Sequence, residues 1–424
     1  MEHDVAIVGA GAAGLMVARV LAQAGKKVVV LEARDRIGGR IYPLSEADFG
    51  YEAAGGAEFI HGEAPVSKAL AKEVGLTLYH PQEWWSVRDG EPMPIERLSA
   101  HDPLLESKLR ALTEDISVAE FLRQNFPQEQ HAALWDFVTR WTEGYDAADT
   151  EKASTFGLRE EMLNEGSWLQ MNIKEGYGPL IKFLKTEAEK HGAEFILNKI
   201  VTAIDYTGDK VKVSTSDGLI YQTTQVILTV PLPILPEIQF APAIPTQLAA
   251  AAKIGYGGVI KLILKFKDKW WTGVREQVFE KMFFMLSSEP VPTWWTQYPQ
   301  ERPILTGWLP GPEALEMSKK SDEDILALAL ESLSKIFTIG VDELKEQLTN
   351  YKILNWPKDP YARGVYSYAT PWSAEAIAEL QKPIANKVYL AGEAIYEGSE
   401  VGTVEAALTS GQRVAKLILS GMVL

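Results

Sequence analysis

Residues 5–32 read VAIVGAGAAGLMVARVLAQAGKKVVVLE. Val5 to Val8 and Lys27 to Leu31 are short apolar runs of the kind that form strands buried on both faces. Between them lie a glycine-rich turn, Gly9 to Ala13, and an apolar helix, Gly14 to Ala24, closed by Gly25. Strand, helix, strand is a βαβ unit, and Gly-Ala-Gly-Ala-Ala-Gly has the spacing of a dinucleotide-binding fingerprint. Gly9 permits the turn, Gly11 lets backbone approach a pyrophosphate, and Gly14 lets the helix pack on the strand. The helix N-terminus offers free N–H groups and a positive dipole end to phosphates. Glu32 ends the second strand, where a carboxylate accepts hydrogen bonds from a ribose.

Outside this unit the composition narrows the choices. A chain of 424 residues should hold two or three folding units. With 46% hydrophobic and 23% charged residues, a largely disordered or fibrous chain is excluded. No cysteine is present, which removes disulfides, thiolate metal sites, a cysteine nucleophile and a sulfur-bonded cofactor. The six histidines include no pair spaced for one helix face, so no metal is expected. A net charge of −15 disfavours nucleic acid and attracts cationic ligands. Glu2 and Asp4 stand where a signal peptide would be basic, glycines interrupt the first apolar run, and no long uncharged segment follows. A cytoplasmic protein without a membrane segment is expected.

After Glu32 the chain continues EARDRIGGRIYPL, with Arg34, Arg36 and Arg40 around Gly38 and Gly39. This is either a solvated basic loop or a bare backbone with cationic forks suited to a second pass over a pyrophosphate. Glu32 to Arg40, followed by YEAAGGAEFIHG at 51–62, resembles the flavin amine oxidases. The RGVYSY string, Thr403 and the His61-Gly62 pair resemble the polyamine oxidase and histone demethylase branch of that family.

The resemblance implies FAD as cofactor, with contacts from Gly9, Gly11, Gly14, Glu32, Arg34 and Arg40 and from the loop Gly55, Gly56, Ala57 and Glu58. It adds Val201, Trp356, Gly392, Glu393, Thr403 and Val404. In GYGGVIKLILKFKDKWW, alternation puts Val259, Lys261, Ile263 and Lys265 on one face, as in an edge strand with two solvated lysines. The resemblance instead implies that Lys261 reaches the flavin ring through a water and that Lys265 is surface. It also implies that Tyr366 walls the substrate slot, with His61 and Thr403 beside it. The family's monoamine oxidases bond the flavin through a cysteine where this chain has Val365, so non-covalent FAD is expected. Thr403 replaces their second slot tyrosine.

Helical patterns with Trp84, Trp85, Trp135, Trp141 and Trp168 are expected across 81–172. A helix from Pro179 to near Gly192 is followed by short strands, one of them Lys210 to Ser214, and by a strand in 225–230 returning to the first sheet. The proline-rich stretch 231–245 marks a crossing between domains. A strand at 259–266, a helix capped by Ser321 with Asp324, and a final strand, glycine turn and helix over 388–418 complete the chain. The fold class is α/β: a Rossmann-type FAD-binding domain (1–80, 174–242 and 358–424) with a discontinuous α+β substrate domain (81–173 and 243–357). The expected function is oxidation of a small-molecule amine to an imine by hydride transfer to FAD, with oxygen reoxidising the flavin to give hydrogen peroxide. Alternatives are a flavin desaturase or porphyrinogen-type oxidase, an L-amino-acid oxidase in which Arg159 or another residue would take the carboxylate, and a non-enzymatic FAD-binding protein.

Overall fold

Val5–Val8 and Val28–Leu31 are adjacent parallel strands, with Val5 opposite Val28 and Val8 opposite Leu31. Every residue of both is buried, which is why neither run alternates apolar with polar residues. They belong to a five-stranded parallel sheet in the order 388–390, 225–228, 5–8, 28–31, 194–196. The computed structural model describes residues 3–80, 84–88, 91–95, 102–164, 169–274, 279–398 and 400–421, so Trp168 lies outside the described residues.

One face of this sheet, including Val5, Ile7, Val28, Val30 and Ile227, packs on the helices Ala12–Gln23, Gly178–Lys190 and Val404–Ser420. The other, including Ala6, Val8, Val29, Leu31 and Leu228, packs on Ile204, Val211 and Val213 and on the helix Ser373–Leu380. Those first three residues belong to a four-stranded sheet ordered 220–223, 211–215, 201–205, 239–241. Its last strand comes from the proline-rich stretch and sits at the edge, where missing N–H donors do least harm.

A seven-stranded sheet runs 348–355, 259–266, 304–310, 293–295, 284–286, 84–88, 91–95. Its far end corrects the expectation of helices from residue 81. Trp84–Arg88 and Glu91–Ile95 are a hairpin. Trp84 packs toward Phe284 with ring centroids 4.2 Å apart, while Trp85 packs toward Phe279 at 5.4 Å. Large aromatics on both faces conceal a period of two. Helices do follow at Pro103–Arg110, Val118–Asn125, Ala132–Gly144 and Thr155–Leu163.

Val259–Phe266 is no edge strand. It pairs with 304–310 on one side and with 348–355 on the other. Ile260, Leu262, Leu264 and Phe266 pack on the helix Asp322–Phe337, whose capping box joins Ser321 and Asp324 as the sequence suggests. Ile263, on the opposite face, packs against Leu44, Phe49 and Ala53. Lys261 shares that second face and is therefore aimed at the loops that follow the fingerprint. Among the described residues no helix is long and apolar enough to cross a membrane, and no group of three His, Asp or Glu could hold a metal ion.

Candidate active site

Gly9 has φ +103, a region side-chain-bearing residues avoid, and a Cβ on Gly14 would lie 2.1 Å from the Gly9 carbonyl oxygen. The helix Ala12–Gln23 starts at Gly11 with no side-chain cap and no acidic residue in its first turn. Its first N–H groups therefore await an anionic acceptor. Glu32, 6% exposed, accepts from the Ala10 N–H at 2.7 Å and the Arg34 N–H at 2.9 Å. This fixes both carboxylate oxygens beside the turn and leaves each a further lone pair. Glu32→Ala should weaken FAD binding roughly tenfold to a hundredfold, because one charge-assisted hydrogen bond is worth about 1.5–3 kcal/mol. Titrating the apoprotein with FAD and following flavin fluorescence would measure it.

The arginine loop packs directly on the fingerprint: the Gly38 N–H donates to the Ala10 carbonyl at 2.8 Å. All three arginines are engaged, so the solvated-loop alternative fails. Arg34 makes a bidentate pair with Asp359 at 2.9 and 2.5 Å. Arg36 donates to the Gly39 carbonyl at 3.0 Å and lies over the Tyr42 ring. Arg40 donates to the Val365 carbonyl at 2.9 Å and to Glu393 at 2.7 Å. Glu393, 5% exposed, also accepts from the Ser367 hydroxyl, so this network ties together three stretches distant in sequence.

These residues open on a cavity of about 2430 Å³. Pockets for one small molecule are usually about 300–1,000 Å³, so this one has room for a dinucleotide and a substrate together. Of the FAD and slot residues that the family resemblance implies, all line it except Gly14 and Gly55. Gly14 lies under the turn, and the Gly55 N–H donates to the Tyr42 carbonyl at 2.7 Å. Uncapped helix N-terminus, paired carboxylate and cavity size together fit FAD. Val201 and Trp356 are buried at the wall.

Lys261 is 1% exposed, and its ammonium donates to Glu58 at 2.8 Å and to the Gly56 carbonyl at 3.0 Å. Lys265 points elsewhere, toward the Asp48 carbonyl on an exposed edge. Across the strand pair, Trp308 stands opposite Lys261 and stacks on Tyr366 with centroids 6.5 Å apart and planes 19° from parallel. The Tyr366 hydroxyl donates to the Tyr145 carbonyl at 2.6 Å. Burial and then Asp146 raise the Tyr366 pKa well above its ordinary 10.0, so it stays a neutral phenol. The Tyr145 hydroxyl is 3.2 Å from Nδ1 of His61. Burial lowers the His61 pKa to about 4, which makes its ring neutral at pH 7.

Thr403 lines the cavity. Its hydroxyl donates to the Glu400 carbonyl at 2.6 Å and accepts from the Ala406 N–H at 3.2 Å, capping the helix Val404–Ser420, and so fixes the first turn of that helix at the cavity wall. Glu405 is likewise engaged, accepting from the amides of Val66 and Ser67. Arg159 does not reach the cavity: it donates to the Leu112 carbonyl and lies 4.1 Å from the Phe156 centroid. A carboxylate-binding role for Arg159 is thereby lost.

Two cavity residues were not foreseen. Asp146 and Glu161 are hydrogen-bonded to each other, and the Trp141 indole N–H donates to Glu161 at 2.9 Å. Burial raises both carboxyl pKa values, that of Glu161 to about 7, and the neighbouring acid raises Asp146 further. Among the described residues neither group has a cationic neighbour acting on it. Fifteen positions separate the two, in stretches crowded with other acids, so no spacing rule could single them out.

The flavin containing amine oxidoreductase family model matches residues 12–419. The chain is 28% identical to polyamine oxidase 4 of Oryza sativa subsp. japonica over 448 residues, 96% of this chain and 87% of that one. It is 27% identical to lysine-specific histone demethylase 1 homolog 3 of Arabidopsis thaliana, covering 99% of this chain but 30% of the demethylase homolog. Among solved structures, cyclohexylamine oxidase from Brevibacterium oxydans IH-35A superimposes with a TM-score of 0.81 at 20% identity, over 99% of both chains. Putrescine oxidase bound to putrescine does so with a TM-score of 0.80 at 20% identity, again over 99% of both. These two likenesses concern the fold. With a family match across nearly its whole length and a cavity built to take FAD, the chain belongs to the flavin containing amine oxidoreductases and is an FAD-dependent amine oxidase.

Proposed function

We propose that the protein oxidises an amine carrying a second positive charge, of polyamine type, with FAD held non-covalently. The observation that carries this reading is the Asp146 and Glu161 pair: two carboxyl groups in the cavity beside Tyr366 with no cation among the described residues to neutralise them. A distal ammonium supplies the missing charge. FAD, when bound, would supply a two-electron acceptor for the hydride of the carbon next to nitrogen, with oxygen as the final acceptor and peroxide as its product.

The chain's own groups do the rest. Trp308 and Tyr366 form an aromatic wall that directs the amine. Loss of hydride needs the nitrogen lone pair, and deprotonating an amine of pKa about 10 at pH 7 costs about 4 kcal/mol. The apolar wall lowers that cost by disfavouring the cation at the reacting nitrogen, while the carboxyl pair favours it at the distal one. His61, neutral at pH 7, and Tyr145 add no charge that would compete.

Anaerobic bleaching of the flavin separates the possibilities. Spermidine or an acetylated polyamine should bleach it faster than benzylamine or an L-amino acid. Faster bleaching by benzylamine would refute the distal-charge reading. Non-covalent binding is supported by the absence of cysteine and by Val365 at the cavity wall. Acid denaturation should release all of the flavin to the supernatant; yellow colour kept by the precipitate would reveal a covalent bond.

A further inference from the structure

The carboxylate that holds Lys261 has no role in the steps above. Glu58 receives the Lys261 ammonium on one oxygen at 2.8 Å and the amide of Gln297 on the other at 3.1 Å. The ammonium also lies 5.1 Å from the centroid of the Trp295 ring. With 1% of the lysine side chain and 12% of the glutamate exposed, the pair is almost dry and touches solvent only along the cavity wall.

Every element packed around Lys261 is accounted for. The two neighbouring strands place Trp308 and Leu354 opposite it. The 293–297 segment brings Trp295 and Gln297, and the loop after residue 50 brings Glu58. Behind Glu58 stand Tyr51 and Tyr79, with Arg302 stacked on Tyr51. Among the described residues, Glu58 is the one charged group that acts on the Lys261 ammonium. Burial pulls the lysine below its ordinary 10.5, and Glu58 opposes this without cancelling it. A buried lysine without such a partner surrenders its proton.

We propose that Glu58 is a positioning residue that keeps Lys261 protonated and aimed, so that the cavity wall carries a neutral ion pair at this point. This rests on FAD filling the cavity. It does not depend on which amine is oxidised.

The test uses the oxidised holoenzyme with no amine present. Its flavin absorbance is followed from about pH 6 to 10 in the wild type and in Glu58→Gln, where the lysine loses the charge that opposes the effect of burial. The variant should show a one-proton spectral transition at lower pH than any in the wild type. It should vanish in Glu58→Gln/Lys261→Met, and Glu58→Asp should restore the wild-type profile. A Glu58→Gln profile that matches the wild type, or a transition that survives Lys261→Met, overturns the proposal.

If Glu58→Gln does not retain flavin, competitive labelling with acetic anhydride at pH 7 serves on both apoproteins. Only a neutral amine reacts, so Lys261 should label at least tenfold faster in Glu58→Gln than in the wild type once both are normalised to Lys265. Equal rates refute the proposal. Neither measurement involves an amine substrate, so failure of the substrate reading would show separately, in the bleaching assay.

Discussion

Replacing Asp146 with Asn and Glu161 with Gln together should lower kcat/KM toward spermidine roughly thirtyfold to a few thousandfold, while kcat/KM toward benzylamine changes little. Losing one side of a charge pair that the bound amine would seal from water costs about 2–5 kcal/mol, and each 1.36 kcal/mol is a factor of ten. Both substitutions keep the shape of the side chains and one acceptor oxygen in each, so the loss is chiefly one of charge. The wild type adds a pH signature. Because the Glu161 pKa is raised to about 7, the pair gains negative charge as pH rises through that value. Apparent KM for spermidine should therefore fall from pH 6 to pH 8, and the double variant should lack this trend.

The same shift has a sign for stability. A carboxyl group whose folded pKa is above its unfolded value favours folding fully below the unfolded value, and that contribution is lost as pH rises through the folded one. For Glu161 the window runs from the ordinary 4.5 to about 7. Relative to the wild type, Glu161→Gln should gain melting temperature across that interval. Spermidine should raise the wild-type melting temperature more at pH 8 than at pH 6.

The second large effect is at Gly56. A Cβ there would lie 1.8 Å from the Arg40 carbonyl oxygen, which already accepts from the Ala57 N–H at 3.1 Å. The obstacle is backbone, and Gly56 also presents its own carbonyl to Lys261. Gly56→Ala should therefore displace the whole loop, abolish flavin retention, and destabilise the protein by at least about 1–3 kcal/mol, the usual cost of overpacking. Gly11→Ala makes the contrast. A Cβ at Gly11 meets nothing within 4 Å and faces the cavity, so the melting temperature of the apoprotein should be unchanged while FAD affinity falls. Loss of melting temperature in Gly11→Ala, or flavin retained by Gly56→Ala, would contradict this account.

The opening βαβ unit, the strand at 259–266 and the capping box at Ser321 were legible because each depends on local chemistry: a run buried on both faces, a glycine spacing, a hydroxyl three residues before a carboxylate. Trp84 and Trp85 misled, because large apolar side chains on both faces of a strand carry no period and aromatic clusters equally suit a helix.

Which chemistry belongs to the chain was likewise set by composition and motif. Absence of cysteine, the fingerprint with Glu32, and the two glycine-bearing loops confine it to a bound dinucleotide cofactor. What each polar side chain does at the site was decided only by tertiary structure. Lys261 reads as an edge-strand lysine until strands 43 and 87 residues away, measured between the first residues Ile304 and Leu348 and Lys261, enclose it and Glu58 meets its ammonium. Thr403 reads as the small residue in place of a slot tyrosine, and its bonds to Glu400 and Ala406 as a helix cap at the cavity wall appear only in the fold. Asp146 and Glu161 read as two acids among many until the bend after the 132–144 helix sets one against the other under the Trp141 indole. The physical reason is common to all three. Protonation and hydrogen bonding depend on which groups share a dry volume of a few ångströms, and that proximity arises between residues that no sequence period connects.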